Sequence, residues 1–417
     1  MRRRRTAYAV WELTLKCNLA CNHCGSRAGS QRENELTTDE ALDLARQLAE
    51  VGITEVTIEG GEAFLRPDWL QIAQAITSHG MTCSMTTGGY GISRETARKM
   101  KEAGINQVSV SVDGLQATHD RIRGRDGSFF FCFQSFRHFR DVGLLYTANT
   151  QVNRLSAPEL PQLYERLRDA GVKGWQIQLT SAMGNGADNI WLLLQPAELD
   201  AFYRTLARVA LRAQDEGVIS VQPANDIGYF GPYDDVIFAR SPGQIWTGCM
   251  AGISVLGIHA DGSIKGCPTL PAEYIGGNIR KQPLREILES RELTFNTTAG
   301  TDEGAAHMWG FCGSCRYAEV CRGGCSQMAS VLFNRRGNNP YCHSRTLEQA
   351  RRGLRERVVR DVPSPGQPFD HGVLRLVEEP VDAPWPEGDD LHFTYERVQW
   401  PAGWEAWPLP EPKRSVA

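Results

Sequence analysis

Three cysteines near the start of the chain carry its strongest chemical signal. Cys17, Cys21 and Cys24 stand in CNLACNHC, a C-x3-C-x2-C spacing that puts three thiols on one short loop. Three thiolates fill three corners of a four-iron cluster and leave the fourth iron open. Taken alone, the same residues would equally serve as half of a zinc site. Gly60, Gly61 and Glu62 place two permissive backbone positions ahead of a carboxylate, which suits either a ligand cradle or a tight turn. Ser109, Ser111 and Asp113 in SVSVDG, with Arg123 in HDRIRGRDGSF, add hydroxyls, an acid and a fixed cation. Their ordinary alternative is a set of solvated strand-end residues.

A second group of cysteines lies far downstream. Cys249 comes first, then Gly262 and, after four intervening residues, Cys267. Cys312, Cys315, Cys321 and Cys325 follow as C-x2-C-x5-C-x3-C, and Cys342 closes the series. Two zinc ions stapling a small domain would also permit these spacings. Cys83 and Cys132 match no ligand pattern and are expected in the core, where a free thiol packs as a small hydrophobe.

The elements that must position these groups follow from periodicity. Strands are expected at Trp11–Leu15, Glu55–Ile58, Thr82–Thr86, Gln107–Val112, Tyr146–Val152 and Trp175–Leu179, separated by amphipathic helical runs. Thr37 and Glu40 form a capping box ahead of the stripe Ala41, Leu44, Ala45 and Leu48, and Gly52 stops that helix. Gly80, Gly104, Gly143 and Gly171 end later helices. Six βα units predict a partial, open (β/α)6 TIM-like barrel, and Cys17 follows its first strand, at the C-terminal mouth where such folds place chemistry. After a helix from Pro196 to Glu216 the rhythm is lost over Gln222–Gln244.

With order and strand context matched, residues ~8 to ~345 resemble the radical S-adenosylmethionine superfamily. That resemblance implies a [4Fe-4S] cluster on Cys17, Cys21 and Cys24, whose open iron takes the amino and carboxylate groups of S-adenosylmethionine. Reductive cleavage then yields a 5′-deoxyadenosyl radical that abstracts hydrogen from an unactivated carbon. It further implies that Gly60, Gly61 and Glu62 hold the methionyl ammonium. Ser109, Ser111 and Asp113 would reach the ribose and carboxylate, Arg123 would support the carboxylate, and His23 would lie near the adenine. Ala63 stands where the family often has Pro. The seven later cysteines are similar to the SPASM signature, which implies two auxiliary [4Fe-4S] clusters, three clusters in all. By that resemblance Cys312, Cys315, Cys321 and Cys342 hold the outer one. Cys249, Cys267 and Cys325 hold the inner one, whose fourth iron is open, water-bound, bridged to substrate or held by a ligand other than cysteine.

The expected organisation is a barrel over residues 1–225, a linker at 226–248 and a small cysteine-rich SPASM domain at 249–350. A charged helix ending near Arg360 and a Pro/Trp-rich tail with Trp385, Trp400, Trp404 and Trp407 complete 351–417. Of the 417 residues 41% are hydrophobic, enough for a large core. A formal charge of -4 gives no basic face for nucleic acid. The one basic run, Arg2–Arg5, is expected to be a solvated terminus. No apolar stretch is long enough for a membrane helix and no signal peptide is evident, so a cytoplasmic location is expected. Reduced cysteines there favour metal ligation over disulfides.

The SPASM resemblance implies a peptide substrate, foremost the precursor of a ribosomally synthesised, modified peptide (RiPP), changed by crosslinking, oxidation or backbone excision. Gly60–Leu65 and Thr86–Gly89 are similar in form to maturases that excise tyramine. A sulfatase-type formylglycine maturase, a small-molecule or cofactor-biosynthesis enzyme, and a non-catalytic cluster scaffold or electron carrier are the alternatives. The scaffold would need neither Gly60–Glu62 nor Asp113. Asp226, Asp234 and Asp235 are candidate bases, with solvated loop acids as the plainer expectation. An electron donor such as flavodoxin or ferredoxin is expected. A separate leader-recognition protein is also expected, because too few residues precede the first strand for a fused peptide-binding domain.

Overall fold

The computed structural model describes residues 7–239, 244–296, 306–386, 398–403 and 409–411. Arg2–Arg5, Trp404 and Trp407 lie outside the described residues. Seven parallel strands form the body: β1 (Tyr8–Thr14), β2 (Glu55–Gly60), β3 (Thr82–Thr87), β4 (Ile105–Ser111), β5 (Leu145–Val152), β6 (Gly174–Leu179) and β7 (Ser220–Pro223), in chain order across the sheet. The partial (β/α)6 barrel expected from periodicity is present, extended by the short β7. Helix α1 (Thr38–Glu50) has the expected capping box of Thr37 and Glu40, and buries Ala41, Leu44, Ala45 and Leu48. Each such side chain contributes about 1–3 kcal/mol of hydrophobic burial.

The strands alternate strictly between two environments. Val56, Ile58, Met85, Val108, Val110, Ala148, Val152 and Ile177 belong to the apolar core. Their neighbours along each strand face the other way and are polar. In register these make rows: Glu12 beside Glu59, Thr57 beside Ser84, Thr86 beside Ser109 and Thr147, Ser111 beside Asn149 and Gln176, and Gln151 beside Gln178. Most of this inner face is partly solvent-exposed.

Strands β8 (Val255–Ile258), β9 (Ser263–Lys265) and β10 (Ile275–Asn278) are not a separate layer. β8 pairs parallel with β1, Tyr8 opposite Val255, and β9 and β10 continue antiparallel, giving one ten-stranded sheet. The hairpin that β8 and β9 form around Asp261–Gly262 therefore sits toward the edge of the barrel sheet.

The helix expected to end near Arg360 stops at Arg351: α2 (His343–Arg351) gives way to β11 (Leu354–Val362), paired with β12 (Val373–Pro380). Buried Arg345 explains the turn. It forks onto Glu356 with two 2.7 Å bonds, a charge pair that alternation along β11 aims inward. Trp385 and Trp400, half-buried, pack against the Arg355 and Arg208 guanidiniums at 4.1 and 5.7 Å. Among the described residues no helix is long and apolar enough to cross a membrane.

Candidate active site and cluster-binding cysteines

The Cys17–Cys24 loop is pinned by main chain on three sides. Cys17 N–H donates to Gly29 O and Gly29 N–H to Leu15 O, both at 2.9 Å, which closes the loop on the end of β1. The helix Gln116–Arg123 presents its last carbonyls to it: Asn22 N–H reaches Ile122 O at 2.8 Å and Ala20 N–H reaches Arg123 O at 3.3 Å. These are carbonyls a helix end leaves without internal partners. Asn185 Nδ2 donates to Cys21 O at 2.8 Å.

Gly60 and Gly61 are required by this packing. Gly61 N–H bonds Thr14 O and Glu62 N–H bonds Lys16 O, each at 2.8 Å. A Cβ on Gly61 would lie 2.4 Å from Lys16 O, and one on Gly60, at φ +145°, 2.2 Å from Thr14 O. The pair lets β2 abut the chain that enters Cys17. Glu62 is buried, accepts Thr87 Oγ1 at 2.6 Å and the Gly88 N–H, and is pushed up to about 7, burial outweighing these donors and Arg123.

Asp113 is a hub. Its Oδ2 meets Arg123 at 2.6 Å and His23 Nε2 at 2.9 Å, and its Oδ1 accepts Gln151 N–H at 2.9 Å. Burial alone would raise its pKa, but Arg123 and His23 hold it well below the usual carboxylate range. Arg123 also stands 3.8 Å from Cys21 Sγ. The structure thus brings His23, Asp113, Arg123 and Cys21 together beneath the loop, with Asp113 engaged by protein groups. Ser109 Oγ is buried and without a partner, and Ser111 lies one step nearer the mouth on the same face. Cys83 and Cys132 are buried; Cys132 Sγ lies 3.3 Å from Gly88 O.

The seven later thiols fall into two neighbourhoods. Cys342 feels Cys321, Cys312 and Arg345, and Cys312 and Cys321 each feel Cys315. Cys325 feels Cys249, Asp226 and Cys267. Tyr229 stands between the sets. Its hydroxyl accepts Cys325 N–H at 3.0 Å, and its carbonyl faces Cys342 Sγ at 3.6 Å. Gly228, Tyr229 and Phe230 all have positive φ, at 103°, 76° and 62°, a run held by the Phe230 ring stacked 3.9 Å from Tyr317. Among the described residues no three His, Cys, Asp or Glu side chains converge on a single ion. The donor chemistry of three soft thiols per neighbourhood or more fits iron–sulfur clusters, in which each cysteine holds its own iron.

Asp226 is not the solvated acid expected from sequence. Its Oδ2 accepts Leu179 N–H at 3.0 Å, its Oδ1 is buried without a partner, and burial pushes it up to about 7. Asp234 is also buried and accepts Phe230 N–H at 2.8 Å. Sequence reasoning missed a further feature of the mouth. The turn between β11 and β12 reaches the cysteine loop through Arg27, which bonds Asp370 at 2.9 Å and Ser364 at 2.8 Å. Phe369 then stacks on His259 at 4.5 Å, with Lys265 Nζ 4.7 Å from its ring.

Residues 11–153 match the Radical SAM superfamily and residues 249–316 the SPASM iron-sulfur cluster-binding domain. The chain is 29% identical over 344 residues to the AdoMet-dependent heme synthase of Methanosarcina barkeri, spanning 80% of this chain and 95% of that one. It is 27% identical over 388 residues to the mycofactocin maturase MftC of Mycobacterium tuberculosis, covering 89% and 90%. Among solved structures, anSMEcpe with bound AdoMet superposes with TM-score 0.63 at 16% identity over 82% of this chain and 95% of that one. Streptococcus suis SuiB bound to its precursor peptide SuiA does so with TM-score 0.59 at 17% identity, covering 77% and 72%. These likenesses establish the fold, and the two domains imply [4Fe-4S] clusters and S-adenosylmethionine.

Proposed function

We propose that this radical SAM/SPASM enzyme modifies a ribosomally synthesised precursor peptide. The observation that carries the reading is the inner face of the barrel. Thr147, Asn149, Gln151 and Gln178 offer paired donors and acceptors along a partly exposed surface. A peptide backbone presents a donor and an acceptor at every residue and matches such a surface, whereas a flat apolar macrocycle calls for an apolar cleft. Similarity to a mycofactocin maturase over 89% of the chain supports the same reading.

S-adenosylmethionine at the open iron of a Cys17–Cys21–Cys24 cluster would supply the hydrogen-abstracting radical. The chain's own part is positional. Glu62, which follows Gly60 and Gly61, would hold the methionyl ammonium. Asp113 acts through His23 and Arg123, fixing both against the cysteine loop, and Ser109 and Ser111 offer hydroxyls to the ribose. Two auxiliary clusters on the seven later cysteines, three per chain in all, would take electrons from an oxidised substrate. Crosslinking, oxidation and excision of a tyramine unit are all reachable this way, with a flavodoxin or ferredoxin supplying the first electron and a separate small protein presenting the leader. The 226–248 segment then joins barrel and auxiliary domain within the cytoplasm.

A second reading, radical chemistry on a small molecule in cofactor biosynthesis, is favoured by the 29% identity to an AdoMet-dependent heme synthase. Anaerobic incubation with S-adenosylmethionine, dithionite and either candidate short peptides read from the neighbouring genes or an iron tetrapyrrole separates the two. A mass change in the peptide with 5′-deoxyadenosine formed in step is expected. Turnover of the tetrapyrrole alone would establish the second reading instead.

A further inference from the structure

Besides the open iron of the first loop, the twelve cysteines leave one vertex of the auxiliary sites unfilled. Cys17, Cys21 and Cys24 share the first loop, and Cys83 and Cys132 are buried in the barrel, Cys132 against Gly88 O and Ser111 O. Four of the remaining seven form the neighbourhood of Cys312, Cys315, Cys321 and Cys342. Only Cys249, Cys267 and Cys325 are left for the other, and no further thiol exists to complete it.

We propose that Asp226 completes this inner set, its Oδ1 ligating the fourth iron as a carboxylate. The proposal rests on the reading of the later cysteines as two cluster sites. Three independent observations converge on it. Oδ1 is buried and has no hydrogen-bond partner, while Oδ2 is spoken for by Leu179 N–H at 3.0 Å. A buried acceptor left unmatched is costly, and native structures rarely keep one without a role. Second, among the charged groups acting on Cys325, Asp226 stands with Cys249 and Cys267 and is the one that is not a cysteine. Third, the backbone ties the acid to that cysteine. Tyr229 Oη accepts Cys325 N–H at 3.0 Å and donates to Asn225 O, next to Asp226, while Ala224 N–H reaches Ile177 O at 2.7 Å. The turn is thereby bolted to the end of β6 on one side and to Cys325 on the other. Its run of positive φ through Gly228, Tyr229 and Phe230 is strain retained where a ligand-bearing turn must hold one shape. Carboxylate oxygen is an accepted donor to iron, so the substitution of one thiolate by one aspartate is chemically sound.

The test compares full-length wild type with Asp226→Ala, Asp226→Asn and Asp226→Cys after anaerobic reconstitution, by iron and sulfide analysis and electron paramagnetic resonance before and after mild oxidation. With S-adenosylmethionine present in every sample to hold the open iron of the first cluster, wild type should hold about twelve irons and keep them. Asp226→Ala and Asp226→Asn should each lose about one iron per chain on oxidation and develop a three-iron cluster signal. Asp226→Cys should retain the full iron complement and move the potential of a single cluster downward, the others unchanged. Wild-type iron retention and unaltered spectra in Asp226→Ala would overturn the assignment and leave Asp226 a proton acceptor. If that variant fails to fold, Asp226→Cys with a wild-type signature in all clusters overturns it equally. About eight irons in wild type would bring down the two-cluster reading itself, before any variant is compared.

Discussion

The two cysteine regions of this molecule are held in place by different means. Around Cys17, Cys21 and Cys24 the scaffold is regular structure: a strand end, a helix C-terminus and a glycine pair, each contributing main-chain bonds between 2.8 and 3.3 Å. Around Cys312, Cys315 and Cys321 it is two four-residue helical turns that bury none of their own residues, with Arg322 at φ +55°, before Cys325 caps the buried helix Ser326–Phe333. The first loop is shaped by the backbone itself. On the cluster reading the second region would gain its shape together with its metal, because ligation there would be folding free energy.

The sharpest way to break this contrast is to remove ligands. Replacing Cys17, Cys21 and Cys24 together by Ala should abolish cleavage of S-adenosylmethionine, 5′-deoxyadenosine falling to background by chromatography, while about two thirds of the iron and the circular dichroism spectrum remain. Persistent cleavage would mean the radical chemistry starts elsewhere. Cys315→Ala should do the reverse and open the C-terminal region to protease.

A smaller perturbation tests whether the first loop is truly shaped by the backbone. Gly61→Ala would force a Cβ to 2.4 Å from Lys16 O and 2.7 Å from Leu15 O, displacing the chain that enters Cys17. Cleavage is expected to fall at least ~10-fold, since a misplacement of about 1 Å can cost 10²-fold. Gly29→Ala has nothing within 4 Å of its new atom and should stay near wild type, although it lies on the same loop. Equal effects of the two would argue against steric shaping.

Iron removal sharpens the comparison from the other side. After chelation, limited proteolysis should cut first within residues 306–342, leaving a resistant barrel fragment, and iron reconstitution should restore protection. Simultaneous digestion of both regions would show that the barrel too depends on metal.

What could be read from sequence follows the same division. The six barrel strands announce themselves because every one alternates against a helix-covered core, and Thr37 with Glu40 marks a helix start by its own chemistry. β7 is four residues ending in Pro223, too short for a period to show. The pairing of β8 with β1 joins residues far apart in the chain and leaves no local mark. Leu354–Val362 reads as a charged helix until Arg345 is seen to bury Glu356. Cysteine spacing exposed the candidate ligands, but the order of residues offers Asp226 only as one of three loop acids, because the burial of its Oδ1 is a property of the folded turn.

The smallest expected effect concerns protons beneath the first loop. His119 is buried, and its Nδ1 accepts Asp113 N–H at 3.0 Å, so the imidazole is neutral with its proton on Nε2. Burial first, and then Arg123, push its pKa down to about 3. An unfolded histidine titrates near 6.5, so protons bind the unfolded chain in preference. The contribution is therefore complete above about pH 6.5 and is lost as pH falls toward 3, by at most ~1.4 kcal/mol per unit. Asp113, depressed by Arg123 and His23 against its burial, acts in the same sense lower down, its contribution lost below about pH 4. On iron-free protein, where cluster loss does not intervene, the barrel's thermal midpoint should drop a few degrees between pH 6.5 and 5. His259 and His343 are likewise depressed by burial. His119→Gln should thus lessen the slope by about one proton without flattening it. An unchanged slope in that variant would mean His119 already carries its proton in the fold, and that the hub around Asp113 holds one more positive charge against the cysteine loop than its geometry indicates.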